Sequence, residues 1–403
     1  MRTLTRTLLI VVVLSVIPFL LLYIYNSTSS PNNRLDSTNK EPTFPLRPAM
    51  IEQQRTRHEL ITKHCQSDPP GTATSVVIDP RSMVSFCQSH KIASTFWLRV
   101  FHFLHYYNPE YNITRFNPFT VSKYDVHLSP KKLRLYNLYN AENRNLIFMT
   151  TRFMFVREPY TRLWSLFLDK FVILDKFFLQ TFGSLILRRK GHHIKNPFKM
   201  CRTDYSTVSF QDFLDLIVHW DNETQGAMDD HFGTVMGHCS PCRFKPNFVG
   251  KLETFDSDSK YILQLLGLNG FVKVMDQTDH VLEEMRMLVD YNYLVFERNF
   301  KSCFVHCVKR LLDAFQMNGY LSRRSVERLK SKLPLSKLIL TREITSEYQH
   351  SNRTSSQMTK AKRQWKVHAY GKIRRDTLLA IERIYEKELL TFGYDPYPKD
   401  VFQ

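Results

Sequence analysis

Apolar residues along this chain follow three spacings, and each predicts a different kind of element. Leu8 to Tyr25, LLIVVVLSVIPFLLLYIY, is a continuous run without a charge, about the shortest that spans a bilayer. Short apolar blocks at Val76 to Ile78, Met83 to Cys87, Leu146 to Val156, Phe248 with Val249, and Phe271 to Val274 predict strands, with Pro80 turning the chain between the first two. Helical spacing follows several of them: Trp97, Val100, Phe101 and Leu104; Tyr160, Leu163, Phe167 and Phe171; Phe210, Phe213, Leu214 and Ile217. Leu378, Ile381, Tyr385, Leu389 and Phe392 form a last helical face, which Gly393 can end. Ser94 or Thr95, Pro159 and Ser209 are the start signals. Strands that alternate with helices in this way predict an α/β domain with a central parallel sheet flanked by helices.

The first run organises the rest. Arg2 and Arg6 precede it, so the positive-inside rule keeps residues 1–7 as a cytoplasmic tail. YIYNSTSS offers no good small-residue cleavage site, so residues 8–25 are expected to stay as a transmembrane signal anchor. Residues 26–74, rich in Ser, Thr, Asn and Pro, then read as a lumenal stem, and residues 75–403 as the folded lumenal domain. Glycosylation sequons at Asn112, Asn222 and Asn352 agree with a secretory lumen, while Asn26 falls too close to the membrane for use. So does the cysteine content: an oxidising lumen would pair most of the seven, and the odd count leaves one over. Cys239 with Cys242 and Cys303 with Cys307 are the disulfide candidates, and Cys65 is placed to tie the end of the stem to the core. A zinc site would need a second ligand pair, which the sequence does not supply.

Charge narrows the partner. Lys and Arg total 56 against 38 Asp and Glu, a formal +18. Such a balance attracts polyanions, and a lumenal location excludes nucleic acid and leaves acidic glycans or anionic lipid surfaces. Solubility alone would also account for part of it. The loop Leu185 to Lys199, LILRRKGHHIKNPFK, concentrates this charge, and a basic, Ser-rich stretch runs over Leu321 to Arg375.

Two strand-to-helix junctions carry candidate chemistry. In Phe155 to Phe171, FVREPYTRLWSLFLDKF, Arg157 falls at the C-terminal end of a buried strand, where open α/β sheets bind ligands. The helix N-terminus there offers N–H groups to an anion, and Ser165, off the apolar face, can donate to it as well. An ordinary amphipathic helix with a surface arginine fits these residues equally. In Cys87 to Leu104, CQSHKIASTFWLRVFHFL, a loop containing Lys91 leads into Ser94 and Thr95 at a helix start, the layout of a phosphate cradle without the glycines of a Walker loop. A crossover between the two would set them side by side, so that one ligand with two phosphate groups fills both.

At these residues the chain resembles the Golgi carbohydrate sulfotransferases of the chondroitin, dermatan and HNK-1 group, sulfotransferase family 2. The family's 5′-phosphosulfate loop, CxxPKxGxTxW, is matched by Cys87, Lys91, Thr95 and Trp97, with His90, Ala93, Ser94 and Phe96 as departures. Its 3′-phosphate motif, FVRDPFERLxSAFxDKF, is matched at Phe155, Val156, Arg157, Pro159, Arg162, Leu163, Ser165, Phe167, Asp169, Lys170 and Phe171. CSPC…FVGKLET and the closing FGY extend the similarity from about Met83 to Tyr394. The resemblance implies a P-loop-like sulfotransferase fold, 3′-phosphoadenosine 5′-phosphosulfate as donor, no metal, and residence in the Golgi membrane with the catalytic domain lumenal. It further implies an acidic glycan acceptor, most of all GalNAc O-4 of chondroitin or dermatan. Lys91 would neutralise the leaving oxygen, Ser94, Thr95 and local N–H groups would hold the 5′-phosphate, and Arg157 with Ser165 the 3′-phosphate. His231, in the His231-Phe232 pair ahead of the CxxC, is the expected base, with Glu253 or Asp125 as alternatives. A catalytically weak glycan-binding protein on the same fold is the competing expectation. A metal-dependent glycosyltransferase, suggested only by Asp256-Ser257-Asp258, is a third. Homodimerisation stays open.

Overall fold

The computed structural model describes residues 48–65, 75–106, 121–127, 129–192, 207–220 and 228–403. The expected tail, the anchor at 8–25, most of the stem, Asn26, Asn112, Asn222 and Cys201 lie outside these residues. The chain divides into two units, Met1–Ile51 and Glu52–Gln403, and the sheet with its flanking helices belongs to the second. No helix among the described residues is long and apolar enough to cross a membrane.

A four-stranded sheet in the order β1-β2-β3-β4 forms the centre. β1 (Val76–Asp79) and β2 (Val84–Cys87) are an antiparallel hairpin, each strand buried along its whole length. Asp79 closes the turn by accepting from the Ser82 N–H at 2.9 Å. β3 (Thr151–Val156) runs parallel to β2, and β4 (Phe248–Lys251) parallel to β3. The expected parallel sheet is therefore present in three strands, with β1 as an antiparallel edge. Gly250, opposite Phe155 in the register, has no alternative: a Cβ there would lie 2.3 Å from the Phe155 ring.

The helices include α1 (Pro48–His64), α2 (Ser94–Tyr106), α3 (Pro159–Phe167), α4 (Phe210–Val218), α5 (His280–Asn299), α6 (Phe304–Met317), α7 (Ser355–Tyr370) and α8 (Arg375–Thr391). Trp97 of α2 packs on Phe153 of β3 with ring centroids 4.6 Å apart, and Phe86 of β2 stacks on Phe153 at 5.0 Å. Such pairs add about 0.5–1.5 kcal/mol each beyond the area they bury. α8 ends where Gly393 takes φ +64°, as its sequence position predicts.

Three expectations are corrected. Phe271 to Val274 is helical, within Asn269–Gln277, because so short an apolar run does not distinguish a buried helix turn from a strand. Leu146 to Val156 splits into the end of helix Ala141–Phe148 and β3. In the basic, Ser-rich stretch Leu321 to Arg375, Ser322, Ser336 and Thr354 each open a helix. The end of the stem is also structured. In α1, Gln54 exchanges hydrogen bonds with the Val249 N–H and C=O at 3.0 Å, and Arg57 reaches the Val249 carbonyl at 2.6 Å. These side chains satisfy backbone groups of β4 that no further strand pairs.

Candidate active site

The two junctions open onto one cavity of about 560 Å³, lined by Lys91, Ala93, Ser94, Thr95, Arg157, Ser165 and His231 among others. They touch directly: Arg157 Nη1 donates to the Lys91 carbonyl at 3.0 Å. Lys91, Ser94, Thr95, Arg157, Ser165 and His231 therefore face the same space. Arg157 is only 6% exposed, and burial pulls its pKa down from the usual arginine value while leaving it a cation.

The two helix starts differ. Glu158 caps α3, accepting from the Tyr160 N–H at 3.2 Å and the Thr161 N–H at 2.7 Å. The first amides of α3 are thus occupied, which corrects the expectation that they are available to an anion; Arg157 and Ser165 must hold one with side chains. The expected cap at Ser94 or Thr95 is corrected too, because Ser94 is already helical and the first turn faces the cavity. Lys91 and Ala93 sit in the left-handed region at φ +62° and +55°. For Ala93, where the family motif has glycine, that conformation costs about 1–2 kcal/mol.

Beyond α3 the helix widens, with Ile173 N–H bonding to Leu168 C=O five residues back at 3.0 Å. This turn brings Asp169 and Lys170 into the cavity wall. Asp169 lies 3.3 Å from Lys91 Nζ and 3.6 Å from Lys170 Nζ. Burial alone would raise the Asp169 pKa, but Lys91, Lys123 and Lys170 hold it well below the carboxylate range. Cations still prevail: Lys91, Arg99, Lys123, Arg157, Lys170 and Lys362 line the cavity against Asp169, Glu283 and Glu284. His127, 3.1 Å from the Thr95 hydroxyl, is pushed down to about 4 by burial and the neighbouring lysines, so it is neutral near pH 7.

His231 arrives by tertiary pairing. Cys87, at the end of β2, is disulfide-bonded to Cys239, and Cys65 to Cys242. The CxxC thus staples two distant segments, and the segment carrying His231 lies against the Lys91 loop. His238 Nε2 donates to the Gln88 carbonyl at 2.8 Å, and the His231 ring stacks on His90 at 3.8 Å. Asp229 Oδ1, 2.9 Å from His231 Nδ1, fixes the proton on that nitrogen and leaves the lone pair on Nε2. Behind it, buried Arg162 of α3 donates to the Gly233 carbonyl at 2.9 Å and pairs with buried Glu388 of α8 at 3.4 Å, while Glu388 accepts from the Val235 N–H at 2.6 Å.

The alternatives lie elsewhere. Glu253 accepts from the Glu158 N–H at 2.9 Å and Tyr394 Oη at 3.0 Å, and Asp125 from Ser122 Oγ at 2.8 Å; neither lines the cavity. Asp258 is buried against Arg57 Nη1 at 2.9 Å and Asp256 pairs with Lys260 at 2.8 Å, so Asp256-Ser257-Asp258 is structural. Cys303 is disulfide-bonded but Cys307 is a buried thiol, which corrects that candidate. Asn352 is exposed at a turn. No three His, Cys, Asp or Glu side chains among the described residues gather as metal ligands. Asp229, Lys123, His127, Tyr320 and Lys362 were missed in the sequence because no local pattern marks them.

A family model described as "Sulfotransferase family" matches residues 74–292, more than half of the chain. The chain belongs to the sulfotransferase family. Carbohydrate sulfotransferase 11 of Mus musculus is 29% identical over 238 residues, covering 56% of this chain and 64% of that protein. Carbohydrate sulfotransferase 12 of Mus musculus is 28% identical over 200 residues, 47% of this chain and 48% of its own. Carbohydrate sulfotransferase 9 of Homo sapiens is 29% identical over 241 residues, 59% and 51% respectively. This sulfotransferase-family chain spans about half to two thirds of the length of the curated relatives it matches. No solved structure is significantly similar to it.

Proposed function

We propose that this chain transfers a sulfuryl group from 3′-phosphoadenosine 5′-phosphosulfate to a hydroxyl of a glycan, as a Golgi enzyme anchored by residues 8–25 with its catalytic domain lumenal. The observation that carries the reading is the convergence of Lys91 and Arg157 on one cavity, joined by a direct hydrogen bond. Membership of the sulfotransferase family and relatives named carbohydrate sulfotransferases support it. In the reaction the acceptor oxygen bonds to sulfur while the bond from sulfur to the 5′-phosphate oxygen breaks in line. The released electron pair stays on that oxygen, where the Lys91 ammonium neutralises it, and the hydroxyl proton passes to His231 Nε2. Asp229 then faces the imidazolium that forms. Ser94 and Thr95 receive the 5′-phosphate and Arg157 with Ser165 the 3′-phosphate. The acceptor we propose is GalNAc O-4 of chondroitin or dermatan, an acidic chain suited to the basic protein.

A second reading, a glycan-binding protein of little activity, is favoured by the altered loop, with His90 in the motif's proline position and left-handed Ala93. Calorimetry with adenosine 3′,5′-bisphosphate separates the two, together with labelled-sulfate transfer to chondroitin, desulfated dermatan and glucuronyl-terminated glycans. Nucleotide binding lost in Lys91→Ala, with transfer by the wild type, is the expected result. Glycan binding without nucleotide binding or transfer would favour the second reading.

A further inference from the structure

We propose that Lys362 of α7 is a further donor-binding residue, closing with Arg157 on the phosphate monoester at the 3′ end of the nucleotide. The proposal rests on the sulfotransferase reading and adds a residue from beyond the segment that the family model matches, which ends at 292. Lys362 lines the cavity that holds Arg157, Ser165 and Lys91. Its position is set from both sides. Gly319, at φ +79°, leaves room for α7 to approach so closely that a Cβ there would lie 2.3 Å from the Met358 carbonyl and 3.2 Å from the Lys362 nitrogen. Along the same helix Lys366 Nζ donates to Thr161 Oγ1 at 3.2 Å and Tyr370 Oη to the Tyr160 carbonyl at 2.7 Å, so α7 is locked to the first turn of the helix that follows Arg157.

Lys362 differs from its neighbours on α7. Arg363 and Lys366 each face Asp400, at 2.8 and 3.5 Å, and Lys366 also faces Glu158 at 3.8 Å. Among the described residues no carboxylate lies within ion-pair distance of the Lys362 ammonium. The charged and titratable groups around it are Arg157, Lys91 and Glu284, and Glu284 already accepts from Tyr320 Oη at 2.6 Å. Burial first, then Arg157 and Lys91, pull the Lys362 pKa down to about 8 against the opposing Glu284. Six Lys and Arg side chains against three carboxylates in one cavity destabilise the free protein unless an anion enters. A phosphate monoester carries close to two negative charges at neutral pH. Arg157 alone leaves one of them unmatched, and Lys362 supplies the second positive charge.

The test is calorimetry of the purified protein with adenosine 3′,5′-bisphosphate and, as a control, adenosine 5′-phosphate. At pH 7 Lys362→Met should weaken the bisphosphate by about 10- to 100-fold and the monophosphate by less than about 3-fold, since a charge-assisted bond to one phosphate is lost. Lys362→Arg should restore affinity for the bisphosphate. At pH 8 wild-type binding should take up about half a proton, seen as a dependence of the enthalpy on buffer ionisation, because the anion raises a pKa that starts near 8. That uptake should vanish in both variants. Unchanged bisphosphate affinity in Lys362→Met, or equal loss for both nucleotides, overturns the assignment while leaving the sulfotransferase reading intact. Failure of the wild type to bind the bisphosphate would instead remove the reading on which it rests.

Discussion

The two junctions that flank the cavity reach the same end by opposite means. After β3, Glu158 occupies the first amides of α3, Pro159 sets its first turn, and Arg157 is buried with its guanidinium on the Lys91 carbonyl. That junction is capped by residues adjacent in sequence, and Glu253, Lys366 and Tyr370 brace it further. After β2, the loop from Cys87 to Ala93 has two left-handed residues, and the first turn of α2 faces the cavity. It is held from outside, by the disulfide to Cys239 and by His238 on the Gln88 carbonyl.

The contrast can be broken from its supports inward. The largest effect is expected at Glu388, where Glu388→Ala leaves buried Arg162 unpaired and the Val235 N–H unsatisfied. A loss of about 3–5 kcal/mol in denaturant unfolding is expected, because an uncompensated buried charge is costly. Next, the double substitution Cys87→Ser with Cys239→Ser should cost about 2–4 kcal/mol and lower Tm. It should weaken nucleotide binding through the Lys91 loop more than through Arg157, read as a loss of 5′-phosphate affinity. Arg157→Ala should lower affinity for adenosine 3′,5′-bisphosphate by about 100-fold, equivalent to about 2.7 kcal/mol, in a protein that still folds. Unaltered affinity there would end the assignment of the 3′ site. The smallest effect sharpens the comparison: Ala93→Gly should stabilise by up to about 1 kcal/mol, since glycine adopts φ +55° without a Cβ penalty but loses more entropy on folding. A change in the opposite direction would mean that the loop is not strained in solution.

Acid should expose another member of the site. His127, with a pKa near 4 in the folded chain against about 6.5 when unfolded, favours the unfolded state as pH falls between those values. Its contribution to stability is complete above about pH 6.5 and lost progressively below. His127→Gln should flatten the decline of Tm over that window.

Much of the architecture was legible in the chain. β1, β2, β3 and β4, the helices opened by Pro159 and Ser209, and the helix ended by Gly393 follow from apolar spacing and start or stop residues, which act over a few positions. The meeting of Lys91, Thr95, Arg157 and Ser165 on one cavity follows the same logic, since each sits at a fixed offset from a strand end. Phe271 to Val274 was not, because four apolar residues fit a helix turn as well as a strand. By itself, then, the amino-acid order determined the local elements and the two strand-to-helix junctions. Only the tertiary structure decided that Cys239 and Cys242 bond to Cys87 and Cys65 rather than to each other, that Asp229 orients His231, and that Lys362 arrives beside Arg157. The disulfides and the approach of Lys362 join segments far apart in the chain, and the Asp229 to His231 contact, though local, reaches the cavity only through them; their energy comes from packing, burial and charge pairing that no short window of residues contains.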